Sequence, residues 1–390
     1  MRFIRLLYIK LLIGFLFTSC TVVNELPDGV PSSTPTLNPP ANQVPYISEF
    51  NGIKLAYFYK PPELEMQFQV LPEYFDLYIL TKNDEDERDH LQGIEGTQLF
   101  LQYLLFGSIM DPGSCIHQPW QNQVAYQISD FCLISEQHPD WFLLSENGFR
   151  IAEESELWWM LDPMSDGWRE FWLERARISQ EELGWKGVFL DNVEGSLKKR
   201  ERVGWGIPVA YPDEESYQSA IEDNLRHKYN NYFKPEGRPL FANIIDYLDI
   251  DVWARYLKYL DGAMMEDFAV DFVNNYHEPE RWEMQMEIAE MVQEMGKTII
   301  LVSQGSQNNL KRQEFALASY LLVNNGKALF RYTNSENGYD KVWLYKNYLI
   351  DPGQPLGERY KERGIWRRDF TNGCIIVDPV DHSYLFSFND

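Results

Sequence analysis

The chain is poor in the residues that build a metal centre. Six histidines occur in 390 residues (positions 90, 117, 138, 227, 277 and 382), and none forms an HxH or HExxH spacing or sits in a close His–acid cluster. A zinc or two-His-one-carboxylate site is therefore not expected, and the chemistry has to come from ordinary side chains without a cofactor. Four cysteines are too few for a disulfide-stapled scaffold of this length. Positive charge is scarce as well, with 35 Lys and Arg against 59 Asp and Glu for a net charge of −24. That excess repels polyanions and excludes nucleic acid as a partner bound through the general field. No glycine-rich phosphate fingerprint follows the first strand-like run, and Ser303 has no G-x-S-x-G elbow around it. The acidic run Asn83–Glu87 lacks the Gly and the later Glu of a calcium loop and reads as a solvated acidic turn. There are no internal repeats.

What is abundant is aromatic: 12 Trp, 23 Tyr and 23 Phe make up 15% of the chain. With the acidic balance, this favours a neutral or cationic ligand met by ring faces. The length allows one large α/β domain or two ordinary ones.

The first 19 residues carry Arg2, Arg5 and Lys10, no acid, and the apolar run Leu11–Phe17. That run is too short to span a bilayer and reads as the core of a signal peptide. Thr18-Ser19-Cys20 resembles a bacterial lipobox, so the expected organisation has three parts. Residues 1–19 form a lipoprotein signal peptide, 20–47 a lipidated Cys20 followed by a Pro/Ser/Thr-rich linker, and 48–390 the folded unit. The expected location is the bacterial cell surface, with a lipid anchor in the membrane. Cys115 and Cys132 are then exposed to an oxidising compartment, either as a disulfide or as two buried thiols.

From residue 53 onward short apolar runs alternate with amphipathic stretches. The runs are Ile53–Tyr59, Phe75–Thr81, Gln98–Phe106, Gly187–Asn192, Pro239–Ile244, Gly262–Asp267, Lys297–Gln304 and Lys327–Tyr332. Runs of this length fit strands buried on both faces of a parallel sheet. The clearest helical patterns are Trp168–Leu183, Tyr217–Tyr232, Glu280–Met295 and Arg312–Val323. Eight strands in alternation predict an α/β fold of the (β/α)8 TIM-barrel type, with an open doubly wound sheet as the alternative. A long insertion after the third strand, Ile109 to about Ser165, carries much of the aromatic excess and would overhang the mouth.

Two strands end on acids. Gly187–Leu190 stops at Asp191-Asn192, and Gly262–Met265 at Glu266-Asp267. Carboxylates at the C-terminal ends of two strands of one barrel are the pair that glycoside hydrolysis needs, one protonated and one ionised. The segment Gly184–Val193 (GWKGVFLDNV) resembles the strand-four signature of hypothetical glycoside hydrolase-like family 15. Met265-Glu266, Val302-Ser303-Gln304 and Trp366–Gly373 support the match, over about residues 50–380. A more distant similarity is to endo-α-1,4-polygalactosaminidases. The resemblance implies a TIM barrel, Asp191 as nucleophile and Glu266 as acid/base, with the order of roles open to reversal. It also implies an extracellular polysaccharide substrate, with α-linked and amino-sugar polymers as the first candidates. Asp267 and Glu194 are alternative neighbours in the site. Asn243 and Gln304 at strand ends, and Asn192 beside Asp191, are expected to bind sugar hydroxyls. Tyr57 and Asp76, with Tyr59 and Tyr78, are candidates to reach the mouth, and Trp159, with Trp158 and Trp205, to stack on sugar rings. The competing function is a non-catalytic surface carbohydrate-binding protein on the same scaffold.

Overall fold

The computed structural model describes residues 52–388 apart from 62–68, 96–97, 154–156, 205, 246–247, 273–274 and 335–337. The signal peptide, Cys20, the linker and Trp205 lie outside the described residues. Eight parallel strands close into a barrel: β1 (Leu55–Phe58), β2 (Phe75–Leu80), β3 (Leu99–Leu105), β4 (Gly187–Glu194), β5 (Leu240–Ile245), β6 (Gly262–Met265), β7 (Thr298–Gln304) and β8 (Ala328–Thr333). They pair in chain order, and β8 closes on β1. All eight coincide with the apolar runs read from the sequence.

Period-two alternation sorts the strand residues into two cores. Ala56, Phe58, Leu77, Ile79, Leu101, Phe189, Phe241, Met264, Ile300, Val302 and Leu329 fill the interior. The alternate residues pack outward against the helices. A large ring beside a missing side chain keeps the interior closed: at Gly262 a Cβ would collide with the Phe241 ring.

The helices Asp166–Glu182, Glu214–Lys228, Pro279–Glu294 and Leu310–Val323 surround the sheet. They start one to three residues before the apolar patterns read from the sequence. Ser165 accepts from the Trp168 amide, and Asp213 and Ser216 form a reciprocal capping box. Among the helices that the sequence reading did not name are Glu85–Glu95 and Ile250–Leu257. The first corrects the reading of Asn83–Glu87 as a solvated turn. Glu85, Asp86 and Glu87 are its first turn, where negative charge suits the helix dipole.

Between β3 and β4, Ser108–Met110, Ala152–Glu153 and Trp158–Met160 form a small antiparallel sheet. Cys115 and Cys132 are bonded to each other within this insertion. The folded unit expected over 48–390 holds more than the barrel, whose last strand ends at Thr333. A four-stranded antiparallel sheet follows, made of Tyr360–Glu362, Ile365–Phe370, Gly373–Asp378 and Ser383–Phe388. It is fastened to the barrel through Arg368, which is 2% exposed. Its guanidinium donates to the carbonyls of Leu322 (3.0 Å) and Asn324 (2.8 Å), at the C-terminal end of helix Leu310–Val323. A cation on helix carbonyls caps the helix and ties the sheet to the barrel there, beside the Arg359 ion pairs with Glu283 and Glu290. Arg368→Ala should therefore cost about 3 kcal/mol of unfolding free energy. Urea denaturation followed by circular dichroism measures it, and a loss within the ordinary surface range would mean that the contact holds nothing together.

Candidate active site

The pairing of β4 with β5 slips between Leu190 and Val193, and Asn192 takes a left-handed backbone with φ 59°. This is a bulge at the C-terminal end of the strand, a device that re-aims a side chain. Here it presents Asp191 over the barrel mouth. Asp191 Oδ2 accepts from the Tyr103 hydroxyl on β3, and Oδ1 accepts from Asn243 Nδ2 at 3.0 Å. The same Asn243 nitrogen, on β5, donates to Glu266 Oε2 at 2.9 Å. Glu266 follows β6 directly, and its Oε1 accepts from the Tyr339 hydroxyl. Gln304, the last residue of β7, donates to the Tyr339 oxygen at 3.0 Å and to the Glu266 carbonyl at 3.4 Å.

The shared amide sets the distance between the acids. The facing oxygens of Asp191 and Glu266 lie at most about 5.9 Å apart, the limit for bonds of 3.0 and 2.9 Å meeting at one atom. The two N–H bonds of an amide diverge by about 120°, which brings that separation to roughly 5 Å. Retaining glycosidases hold their carboxyls roughly 5–5.5 Å apart, and inverting ones roughly 6.5–9.5 Å.

Burial pushes the Glu266 pKa up, and the nearby negative charge of Asp191 pushes it further; the Tyr339 and Asn243 bonds oppose both. Tyr103 and Tyr339 are each raised well above the usual phenol value, first by burial and then by the carboxylate they face. Both hydroxyls therefore stay protonated and act as donors. Tyr59 stacks on Tyr103 at 5.3 Å and meets Tyr339 edge-on at 5.9 Å. The three tyrosines pack on the interior core below them and form the floor of the mouth.

Of the residues expected from the sequence, the structure brings together Asp191, Glu266, Asn243 and Gln304, with Tyr59 beside them. Asn192 serves the bulge and lines a separate small cavity with Met160, Tyr217 and Asn224. Six of the expected residues are corrected. Tyr57 is fully buried in the outer core, edge-on to Phe75 at 5.4 Å and under the Arg331 guanidinium at 4.5 Å. Alternation gives the inward positions to Ala56 and Phe58, so Tyr57 faces the helices and does not reach the mouth. Tyr78 is likewise in the outer core, stacked on Phe100 at 4.8 Å. Asp76 is the second residue of β2 and sits at the opposite end of the barrel, accepting from the Leu55 amide at 3.1 Å. Trp159 packs against the outer core, while its neighbour Trp158 turns the other way and meets Trp120 edge-on at 5.1 Å. Glu194 is buried against Arg200, and Asp267 is paired with Arg281, so neither is the working partner.

Tyr103, Tyr339 and Trp120 were not singled out in the sequence. Tyr103 carried a usable signal, since it lies two residues before the end of a strand next to the one bearing Asp191. Tyr339 and Trp120 lie in loops without periodicity and carried none. Among the described residues no group of three or more His, Cys, Asp or Glu could hold a metal ion.

A closed parallel barrel with two carboxylates at strand ends, held close by a common donor, is an architecture of glycoside hydrolases. The chain belongs to hypothetical glycosyl hydrolase family 15, whose model matches residues 101–374. No curated protein matches it. Solved structures similar in fold include the glycoside hydrolase domain of PelA from Pseudomonas aeruginosa, at 13% identity and TM-score 0.49, covering 76% of this chain and 98% of that one. The noncanonic maltogenic α-amylase AmyB from Thermotoga neapolitana is similar at 11% identity and TM-score 0.46, covering 85% and 86%. The α-amylase GTA from Geobacillus thermoleovorans is similar at 9% identity and TM-score 0.44, covering 84% and 85%. All three are too distant in sequence and shape to indicate a substrate.

The charge coupling of the two acids has a definite sign. Removing the Asp191 charge removes the larger of the two charges that, besides burial, raise Glu266, the other being Asp267, so in Asp191→Asn the Glu266 carboxyl should titrate at lower pH than in wild type. Carboxyl-region infrared or carbon-13 titration reads this directly. An unchanged midpoint would mean that the Asp191 charge has no part in raising Glu266.

Proposed function

We propose that the protein is a retaining glycoside hydrolase acting on an extracellular polysaccharide, with Asp191 as nucleophile and Glu266 as acid/base. One observation carries this reading, the Asn243 amide that donates to both carboxylates at about 3 Å. In the first step an Asp191 oxygen attacks the anomeric carbon, and the bond from that carbon to the leaving oxygen breaks. Glu266 gives its proton to that oxygen. In the second step Glu266, now a carboxylate, takes a proton from water, whose oxygen attacks the same carbon and releases Asp191. Of the two acids, burial and the Asp191 charge raise the Glu266 pKa, which suits the group that must carry the proton and supports the assignment of roles.

The acidic excess and the ring-lined mouth favour a neutral or amine-bearing glycan over an acidic one. Family resemblance adds α-linked, amino-sugar polymers as the first substrates to try. A product assay on a panel of α- and β-linked polysaccharides tests the reading. Wild type should release oligosaccharides from at least one member, with Asp191→Asn and Glu266→Gln each slowed about 10³-fold or more. Proton NMR of the first product should show the anomeric configuration of the substrate. Binding without turnover on any member would instead identify a carbohydrate-binding protein, and inverted product would reassign Asp191 as the base that activates water.

Residues 1–47 are proposed as a lipoprotein leader and tether, with Cys20 acylated and the barrel held at the bacterial surface. Metabolic labelling with an alkyne fatty acid should mark the wild-type chain and not Cys20→Ser. Equal labelling of the two would refute the anchor at this residue.

A further inference from the structure

We propose that the open cleft beside the two acids is a glycan-binding subsite built around Trp120, and that it takes several linked pyranose units of one polysaccharide strand. The proposal rests on the glycoside hydrolase reading and extends it from the reacting bond to the chain around it. The cleft has a volume of about 680 Å³ and is lined by Lys60, Lys82, Glu87, Trp120, Asn122 and Asp340, among others. That exceeds what one sugar ring needs and falls within the range of ligand sites.

Two neighbours in the chain and one ring contact link the cleft to the acids. Lys60 follows Tyr59, which stacks on the tyrosine bonded to Asp191. Asp340 follows Tyr339, which is bonded to Glu266. Trp120 itself meets Tyr103 edge-on at 5.9 Å. A strand whose reacting ring lay between the two carboxyls would pass over Tyr59 and Tyr103 directly onto Trp120.

Trp120 is half-buried, and its two ring neighbours, Tyr103 and Trp158, both meet it nearly perpendicular, at 82° and 87°. No parallel ring covers it in either contact. The C–H face of a pyranose suits a surface of this kind, and the ammonium of Lys60 with the carboxylates of Asp340 and Glu87 suits its hydroxyls. Charges of both signs on the walls match hydroxyl-bearing rings better than a run of like charges.

The loop that carries Trp120 is fixed before any ligand arrives. The Asn122 carbonyl accepts from the Leu105 amide at the end of β3 (3.0 Å), and Asn122 Oδ1 accepts from the Lys82 amide just beyond β2 (2.9 Å). Lys82 Nζ donates to Gln121 Oε1 at 2.9 Å and lies 3.9 Å from the Tyr126 ring centre. The Cys115–Cys132 bond closes the same segment around Trp120. A platform held this way loses little freedom on binding, which is what preorganisation contributes to affinity.

The test compares Trp120→Ala with wild type, as full chains, on the polysaccharide hydrolysed in the panel and on an activated aryl glycoside of the same sugar. The ratio of kcat/KM for polymer over aryl glycoside should fall about tenfold, mainly through KM for the polymer. Trp120→Phe should recover part of it, which separates a lost platform from a damaged fold. A ratio unchanged in Trp120→Ala would overturn the subsite. If wild type hydrolyses neither compound, the catalytic reading fails separately, and binding decides the subsite. Wild type should then show polysaccharide-dependent tryptophan fluorescence that Trp120→Ala loses. A wild type that binds no member of the panel would overturn the subsite as well.

Discussion

One side-chain amide stands between two carboxylates at the mouth of the barrel, and the rest of the site is arranged around it. Two acids this close repel each other, and in a part-buried setting each would lose much of its hydration. Asn243 offers both of them a donor from one nitrogen, and Tyr103 and Tyr339 supply a further donor to each from the flanks. The pair is thereby held near enough to work on one anomeric carbon, while burial and mutual charge keep a proton on Glu266 to higher pH than an exposed glutamate would hold it. The bulge at Asp191-Asn192, the last residue of β7 and the loop after β8 all converge on this contact.

The barrel makes the convergence cheap in sequence. Each strand needs only an apolar run that ends in a polar residue, and closure carries those ends to one rim. Position along the strand then decides the outcome. Asp76, at the start of β2, is carried to the opposite rim and ties β1 to β2, whereas Asn243, Gln304 and Asp191 lie toward the C-terminal ends and meet. The elements outside the barrel have two different tasks. The C-terminal sheet caps a helix through Arg368 and bears on stability. The insertion after β3 brings Trp120 and Trp158 to the side of Tyr103 and bears on what the mouth can hold.

Much of this was legible without coordinates, and each error has a physical cause. The apolar runs located all eight strands, and strand-end reasoning selected Asp191, Glu266, Asn243 and Gln304. What failed for the aromatic residues was the choice of face, and for Asp76 the end of the strand. Tyr57 and Trp159 sit one position from residues that do point the right way, Phe58 toward the interior and Trp158 toward Trp120. A period of two leaves the phase undetermined when both faces are apolar, as they are in a parallel barrel strand. The acid cluster before Glu95 was misread for a related reason, since a polar first turn hides a helix from any apolar pattern.

Composition and local pattern therefore determined the class of fold, the strand order and the rim on which the chemistry would lie, because closure of eight buried strands leaves few alternatives. Only the tertiary structure decided which rim residues touch. The separation of the two acids is set by an amide 52 residues from Asp191 and 23 from Glu266 in the chain. The partner of Glu266, Tyr339, arrives on a loop 73 residues further on, in a stretch with no periodicity to mark it. Contacts of that range are fixed by how the barrel closes and by what its loops then pack against, and no local pattern encodes them.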